Sequence, residues 1–84
     1  MKVVLNKKAQ KQFDKLASVA QKRVAELFDE IESLSNPRSK GRALVGELSG
    51  LWRYRVGDYR VVCDIADDEM IIYAIKIAHR KEVY

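Results

Sequence analysis

Two runs of β-type residues, 51–56 and 59–63, flank a two-residue Gly57-Asp58 loop, which is the strongest local signal in the chain for a β-hairpin. A two-residue loop also fixes the register, so that Arg55 is predicted to lie directly opposite Arg60. Like charges in direct opposition destabilise a sheet. The pairing therefore indicates that an anion compensates the two guanidinium groups, and phosphate is the first candidate.

The charge along the chain is two-sided. The 84 residues carry a net charge of +4 and are 48% hydrophobic and 33% charged, which is typical of one folded domain spanning residues 1–84. Residues 24–37 contain four acids and no Lys or Arg, whereas residues 38–60 contain six Lys or Arg and two acids. A basic surface favours nucleic acid or another polyanion, although charge considered alone favours a solvated surface.

The cellular compartment is predicted from two features that the sequence lacks, a pair of cysteines and a long apolar segment. Cys63 is the single cysteine, so an intrachain disulfide is impossible, which fits a reducing cytosol. The apolar run at residues 3–5 is far too short for a secretion signal or a membrane span. We therefore expect a cytoplasmic protein with no membrane partner.

The N-terminal half has the pattern of a short strand followed by two helices. Residues 3–5 form an apolar run, and Asn6 can cap a helix that begins immediately after it. Ser18 and Gln21 have the spacing of a capping box for a second, longer helix. Pro37 ends that helix, because proline disfavours a helical conformation at the residue before it. The two helices are expected to form a helical hairpin with a shared apolar face.

The C-terminal half predicts three strands after a basic loop at residues 38–50. The third strand covers about residues 70–78, and a three-residue turn at 67–69 is expected to precede it. This turn keeps the more apolar residues of both strands on one face. The helical hairpin should cover that core face, which consists of Trp52, Tyr54, Val56, Tyr59, Val61, Cys63, Ile65, Tyr73, Ile75 and Ile77.

The other face of the predicted sheet is cationic. With a three-residue turn, Arg60 would pair with Lys76, giving a row of Arg55, Arg60 and Lys76 across three strands. Arg53 would lie one step away on the same face, beside Val62 and Ala74. Neutralisation by the chain's own acids, such as Asp58 or Asp64, is the competing structural interpretation. We expect the row to bind an anion.

The C-terminal segment is the second candidate site. Arg80 shares parity with Lys76, so it would reach the same face if the strand continued. Nearby positive charge would ease ionisation of the Tyr84 phenol, which could then serve as a general base or stack on a nucleobase. A frayed end is the alternative for Tyr84. His79, taken alone, is more typical of a structural residue than of a catalytic one.

The chain lacks the patterns of metal and cofactor sites. No Cys and His spacing resembles a zinc site, and no glycine-rich phosphate loop is present. The acids at 67–69 are better explained as a turn than as metal ligands. We expect no metal and no cofactor.

Residues 40–62, which contain Leu44-Val45-Gly46-Glu47-Leu48 and Gly57-Asp58-Tyr59-Arg60, resemble the RelE/ParE superfamily of bacterial toxins. The ending at residues 79–84 is similar to the RelE branch. The resemblance spans essentially the whole chain. It implies an α+β fold in which an N-terminal helical hairpin packs on a four-stranded antiparallel sheet like that of microbial RNases.

The same resemblance implies an activity and assigns roles to residues. It implies the toxin of a type II toxin–antitoxin pair, a ribosome-dependent and metal-independent endoribonuclease that cuts mRNA by attack of the 2′-hydroxyl. Arg60 and Arg80 would stabilise charge, and Tyr84 would stack on a base or activate the nucleophile. The residues expected to contact RNA phosphates are Arg53, Arg55, Lys40, Lys76 and His79.

The resemblance also implies partners. A RelB-like antitoxin would wrap and neutralise the toxin, the substrate would be mRNA on the ribosome, and operator DNA would be bound only by the toxin–antitoxin complex. Two other functions remain open: a ParE-like inhibitor of DNA gyrase with the same fold, and a non-catalytic basic module that binds nucleic acid.

Overall fold

The computed structural model describes residues 1–82, which form five strands and two helices around one core. The strands and helices are β1 (Lys2–Leu5), α1 (Lys7–Asp14), α2 (Ser18–Ser33), β2 (Arg42–Ala43), β3 (Trp52–Val56), β4 (Tyr59–Ala66) and β5 (Ile71–His79), with 3₁₀ turns at Pro37–Ser39 and Gly46–Leu48. The sheet order is β1-β5-β4-β3-β2. Neither helix is long and apolar enough to cross a membrane.

The α+β class is confirmed, but the expected sheet of four antiparallel strands is wrong in two respects. β1 runs parallel to β5, with Val3 opposite Ile72. Such a pairing is possible because a long connection, rather than a tight turn, separates the two strands. The predicted loop at 38–50 contains the extra strand β2, in which Arg42 pairs with Arg53. A two-residue strand is too short to show an alternating pattern. The sheet is therefore mixed and has five strands.

The helices begin as local capping dictates, although one predicted cap is wrong. The Asn6 side chain accepts the Ala9 N–H at 2.8 Å, as expected for the cap of α1. The capping box of α2 does not form, because Ser18 already lies inside the helix. The N-cap position is occupied by Ala17, which makes no side-chain capping hydrogen bond. Gln21 instead donates to the Phe13 carbonyl at 2.9 Å, which satisfies an acceptor at the end of α1.

The N-terminal part of the chain is not simply the helical hairpin that was expected. β1 precedes the helices, α1 packs mainly along β5, and α2 lies over β1 and β3. Each helix therefore contributes its own apolar side chains to one core. The buried cluster combines Ala9, Val24, Leu27 and Ile31 of the helices with Tyr54, Val61, Cys63, Ile65, Ile72, Ala74 and Ile77 of the sheet.

The register of the β3–β4 hairpin is confirmed, whereas the β4–β5 register is not. Arg55 pairs with Arg60 as predicted from the two-residue loop. The following turn has four residues, 67–70, and ends at Met70 with a φ of +58°. Combined with a β-bulge next to Val62, this longer turn pairs Arg60 with Ala78 and Val62 with Lys76.

The longer turn also changes which residues of β5 enter the core. Ile72 and Ala74 are fully buried, whereas Tyr73 and Ile75, which were predicted for the core face, are only partly buried and outside the core cluster. A one-residue slip exchanges the two faces of a strand. The bulge then restores the predicted face at Ile77.

Two aromatic side chains tie the segment before β3 to the core. The Tyr54 hydroxyl, fully buried, donates to the Pro37 carbonyl at 2.7 Å. The Trp52 indole N–H donates to the Lys40 carbonyl at 2.7 Å. Gly41, which follows Lys40, has a φ of +85°, and a Cβ there would lie 2.4 Å from the Arg53 carbonyl oxygen. The segment therefore has little freedom to move relative to β3.

We expect Tyr54→Phe to lower the free energy of unfolding by about 1–3 kcal/mol, because it leaves the buried Pro37 carbonyl without its donor. Tyr73→Phe is the matched control, since its hydroxyl bonds the exposed Glu69 side chain. Urea unfolding measures both variants. Equal losses of stability in the two would contradict a special role for the buried bond.

Candidate functional site: a cationic sheet face

The sheet face opposite the helices gathers cations in two adjacent rows. Across β2 to β5 the first row runs Arg42, Arg53, Val62, Lys76, and across β3 to β5 the second runs Arg55, Arg60, Ala78. We call this surface the cationic face and define it by five residues: Arg42, Arg53, Arg55, Arg60 and Lys76. The predicted face is present, but Lys76 lies in the row of Arg53 rather than that of Arg60.

Small apolar residues occupy the β4 and β5 positions between these cations. Val62 and Ala78 are 2% and 1% exposed and are outside the helix-covered core cluster. Within residues 1–82, no carboxylate oxygen lies within 4 Å of the charged groups of Arg55, Arg60 or Lys76. The Arg60 guanidinium donates to the Tyr59 carbonyl at 3.3 Å. The face is therefore suited to bind an anion.

Arg55 lies where the face meets the acidic side of α2. β2 pairs only with the start of β3, so Arg55 is at an open sheet edge and is exposed. It lines a concavity of about 300 Å³ together with Lys40 and with Arg23, Glu26 and Glu30 of α2. The Lys40 ammonium is 3.1 Å from the Glu30 carboxylate. Lys40, a predicted phosphate contact, is thus engaged by an acid of this chain.

Arg80 lies beside the turn of the β3–β4 hairpin. Its backbone N–H donates to the Asp58 carbonyl at 2.6 Å, which fixes the chain at the end of β5. Its guanidinium Nε is 3.6 Å from the Asp58 carboxylate, in a pair whose side chains are 59% and 61% exposed. Exposed pairs of this kind contribute about 0–1 kcal/mol. A phosphate group can therefore replace Asp58 as the partner of Arg80 at little cost.

His79 lies on the opposite side of β5 from the cationic face. It pairs with Tyr59, and the two rings meet edge to face with centroids 5.4 Å apart. Its Nδ1 accepts the Lys81 N–H at 3.3 Å, and the Glu82 N–H donates to its carbonyl at 2.8 Å. His79 therefore shapes the turn that follows β5. Tyr84, the third predicted catalytic residue, lies outside the described residues.

The sequence interpretation missed Arg42 as a site residue. The sequence places Arg42 only in a basic loop, because no local pattern predicts the two-residue strand that pairs it with Arg53. The basic composition of residues 38–60 was the available signal.

The titratable side chains in the core are unsuited to nucleophilic chemistry. Burial raises the pKa of the Cys63 thiol to about 12 and that of the Tyr54 phenol to about 12. The hydrogen bond to Glu69 raises the pKa of Tyr73. Within residues 1–82, no group of three His, Cys, Asp or Glu side chains is placed to hold a metal ion. What the described residues offer is positive charge on one face of the sheet.

The fold is that of toxin chains in toxin–antitoxin complexes. A chain of the RelBE2 complex from Mycobacterium tuberculosis is 25% identical with a TM-score of 0.84, covering 94% of this chain and 96% of that one. A chain of the RelE–RelB complex from Pyrococcus horikoshii is 27% identical with a TM-score of 0.74, covering 98% and 97%. The E. coli RelBE complex contains a similar fold at 13% identity and a TM-score of 0.75, covering 96% and 98%.

These similarities define a toxin of the RelE/ParE superfamily. The model of the family described as "ParE toxin of type II toxin-antitoxin system, parDE" matches residues 3–84. The chain belongs to this family of type II toxins. Among curated proteins, none matches it significantly.

We expect Cys63 to react with a thiol reagent at pH 8 on the order of 1000-fold more slowly in the folded protein than in urea. A pKa of about 12 leaves almost no thiolate at that pH, and the side chain is fully buried. Absorbance of the released chromophore measures both rates. Similar rates in the two states would reopen Cys63 as a candidate nucleophile.

Proposed function

We propose that this toxin is a ribosome-dependent endoribonuclease that cuts mRNA on its cationic face without a metal ion. One observation carries the proposal: Arg55 lies directly opposite Arg60, and within residues 1–82 neither guanidinium is within 4 Å of a carboxylate. Repulsion between the two guanidinium groups destabilises the free sheet. A phosphate bound between them would replace this repulsion with attraction.

The proposed reaction uses the 2′-hydroxyl of the RNA itself as the nucleophile. The 2′-hydroxyl oxygen of the RNA forms a bond to the neighbouring phosphorus, and the bond from phosphorus to the 5′-oxygen breaks. The hydroxyl proton passes to a base, the departing 5′-oxygen takes a proton from water, and the product is a cyclic phosphate. Negative charge accumulates on the phosphate oxygens during this exchange. A preorganised donor aimed at such charge typically contributes about 3 kcal/mol.

The residues have distinct proposed roles. Arg60 stabilises the reacting phosphate, and Arg80 stabilises the departing oxygen after it exchanges Asp58 for RNA. Arginine keeps its proton in proteins, so both act by charge rather than by proton transfer. Arg53, Arg55 and Lys76 hold neighbouring phosphates. Tyr84 is proposed to stack on a base or to take the hydroxyl proton.

The proposed partners follow from the relatives. Similar chains occur in complexes with RelB antitoxins in Mycobacterium tuberculosis and in Pyrococcus horikoshii. We therefore propose a RelB-like antitoxin that neutralises this toxin, with operator DNA bound only by their complex.

His79 and Lys40 have structural roles in this proposal rather than roles as primary RNA contacts. His79 shapes the turn that carries Arg80, and Lys40 joins β3 to α2.

The central test is cleavage of mRNA on programmed ribosomes by the wild-type chain and by Arg60→Ala. We expect the variant to cut about 10²–10³-fold more slowly, because it loses one donor to the reacting phosphate. Arg38→Ala is the matched control, since the Arg38 guanidinium is already bound by Asp67 at 2.9 Å. Mapping of the mRNA ends by primer extension gives the rates. Undiminished cleavage by Arg60→Ala would refute the proposed role.

A second function is favoured by the family model, which is that of the ParE toxin. In that case the chain would inhibit DNA gyrase and leave mRNA intact. A supercoiling assay separates the two: inhibition without cleavage on ribosomes would replace the nuclease by a gyrase inhibitor. Salt-dependent binding of nucleic acid with neither activity would leave only a basic binding module.

A further inference from the structure

Helix α1 presents a row of lysines that the proposed chemistry does not use. We call it the lysine face of α1 and define it by Lys7, Lys8, Lys11 and Lys15. These side chains are exposed and, with Gln12, line an open concavity of about 510 Å³. Within residues 1–82, none of the four ammonium groups has a carboxylate within 4 Å.

The spacing of these lysines is unfavourable for the helix. Lys7 and Lys11, and Lys11 and Lys15, are four residues apart, where like charges destabilise a helix. α1 has only eight residues, too few to be stable by itself. Its nearest acid, Asp14, accepts a hydrogen bond from the Gln10 side chain. Lys11 and Lys15, at the C-terminal end of α1, interact favourably with the helix dipole. The repulsion between lysines four residues apart remains uncompensated by this chain's acids, which points to an anionic ligand.

The position of α1 places the lysine face next to the cationic face. The Asn6 N–H donates to the Ala74 carbonyl at 3.0 Å, and the Gln12 side chain accepts the Ile77 N–H at 2.7 Å. These bonds hold α1 against β5, along the part of that strand that follows its pairing with β1. Lys8 lines a second concavity together with Lys76, so the two surfaces adjoin there.

The composition of the lysine face argues against a protein partner. Protein interfaces are depleted in lysine and are anchored by large apolar or aromatic side chains. The large apolar side chains exposed within residues 1–82 are Val19, Val45 and Met70, none of which is on α1. Single-stranded RNA is usually held by aromatic stacking as well as charge. The only aromatic residue of α1, Phe13, packs against the core.

We propose that the lysine face of α1 binds the phosphate backbone of a second, double-helical segment of RNA beside the strand held on the cationic face. Folded RNA is recognised mainly through its shape and its backbone, which flexible point charges suit. From Lys7 to Lys15, the C-cap of α1, the backbone rises about 12 Å, enough to span two or three phosphates. The inference rests on the proposed RNase function only in assigning the cleaved strand to the cationic face.

The test compares two double variants in an Arg60→Ala background, in which the RNA stays intact. Lys8→Gln with Lys11→Gln removes two charges from the lysine face. Lys2→Gln with Lys22→Gln removes two exposed charges elsewhere and is the matched control. Binding to an RNA hairpin with a long stem is measured from 0.05 to 0.3 M salt, alongside binding to an unpaired RNA of equal length. This salt range is used because binding to the phosphate backbone weakens steeply with salt. On a logarithmic plot of affinity against salt concentration, each phosphate contact contributes about one to the slope.

We expect the lysine-face variant to lower the salt slope for the hairpin by about 1–2 and to weaken binding roughly tenfold or more at 0.15 M salt, while the control stays near the parent. Its unfolding midpoint should equal or exceed that of the parent, because like-charge repulsion is relieved. Failure of mRNA cleavage by the wild-type chain would refute the nuclease and leave this binding result standing.

Three outcomes would overturn the inference. Equal salt slopes for the two double variants would show that the lysines make no specific contact. An equal loss of affinity for unpaired RNA would show that α1 binds the same single strand that the cationic face is proposed to cleave. Unchanged RNA binding with weakened binding of a RelB-like antitoxin would assign the lysine face to a protein partner.

Discussion

The opposition of Arg55 and Arg60 is the constraint on which the rest of the site depends. Two guanidinium groups in direct register repel each other, yet the strands cannot slide apart to relieve the repulsion. The two-residue turn sets the register, and a slip of one residue would expose Tyr54 and Val61, both fully buried. Burial on one face of the hairpin therefore maintains positive charge on the other.

The surroundings of this pair determine which cations remain available to a ligand. Three other cations of the chain have an acid as a partner: Glu30 engages Lys40, Asp67 engages Arg38, and Asp58 approaches Arg80. The exposed Asp58 pair is weak, so Arg80 can transfer to a phosphate. Within residues 1–82, Arg55, Arg60 and Lys76 have no carboxylate within 4 Å, so an RNA backbone can bind these three without displacing an acid.

The sequence predicted what local rules control and failed where the chain departs from them. The Gly57-Asp58 loop has one common geometry, so the β3–β4 register could be read directly. The turn at 67–70 uses a left-handed Met70, which sequence patterns do not favour, and the bulge next to Val62 has no local signature. These two features moved Lys76 by one row. The parallel pairing of β1 is decided by long-range packing and could not be read from residues 3–5.

The most direct test of an anion-binding centre is the NMR spectrum of the arginine Nε–H groups during titration with a 2′-O-methyl RNA trinucleotide, which cannot be cut. The account predicts large, saturable shifts for Arg55 and Arg60 and little change for Arg38, which Asp67 already holds. Equal shifts for Arg38 and Arg60, or an unmoved Arg60 signal at saturation, would contradict it.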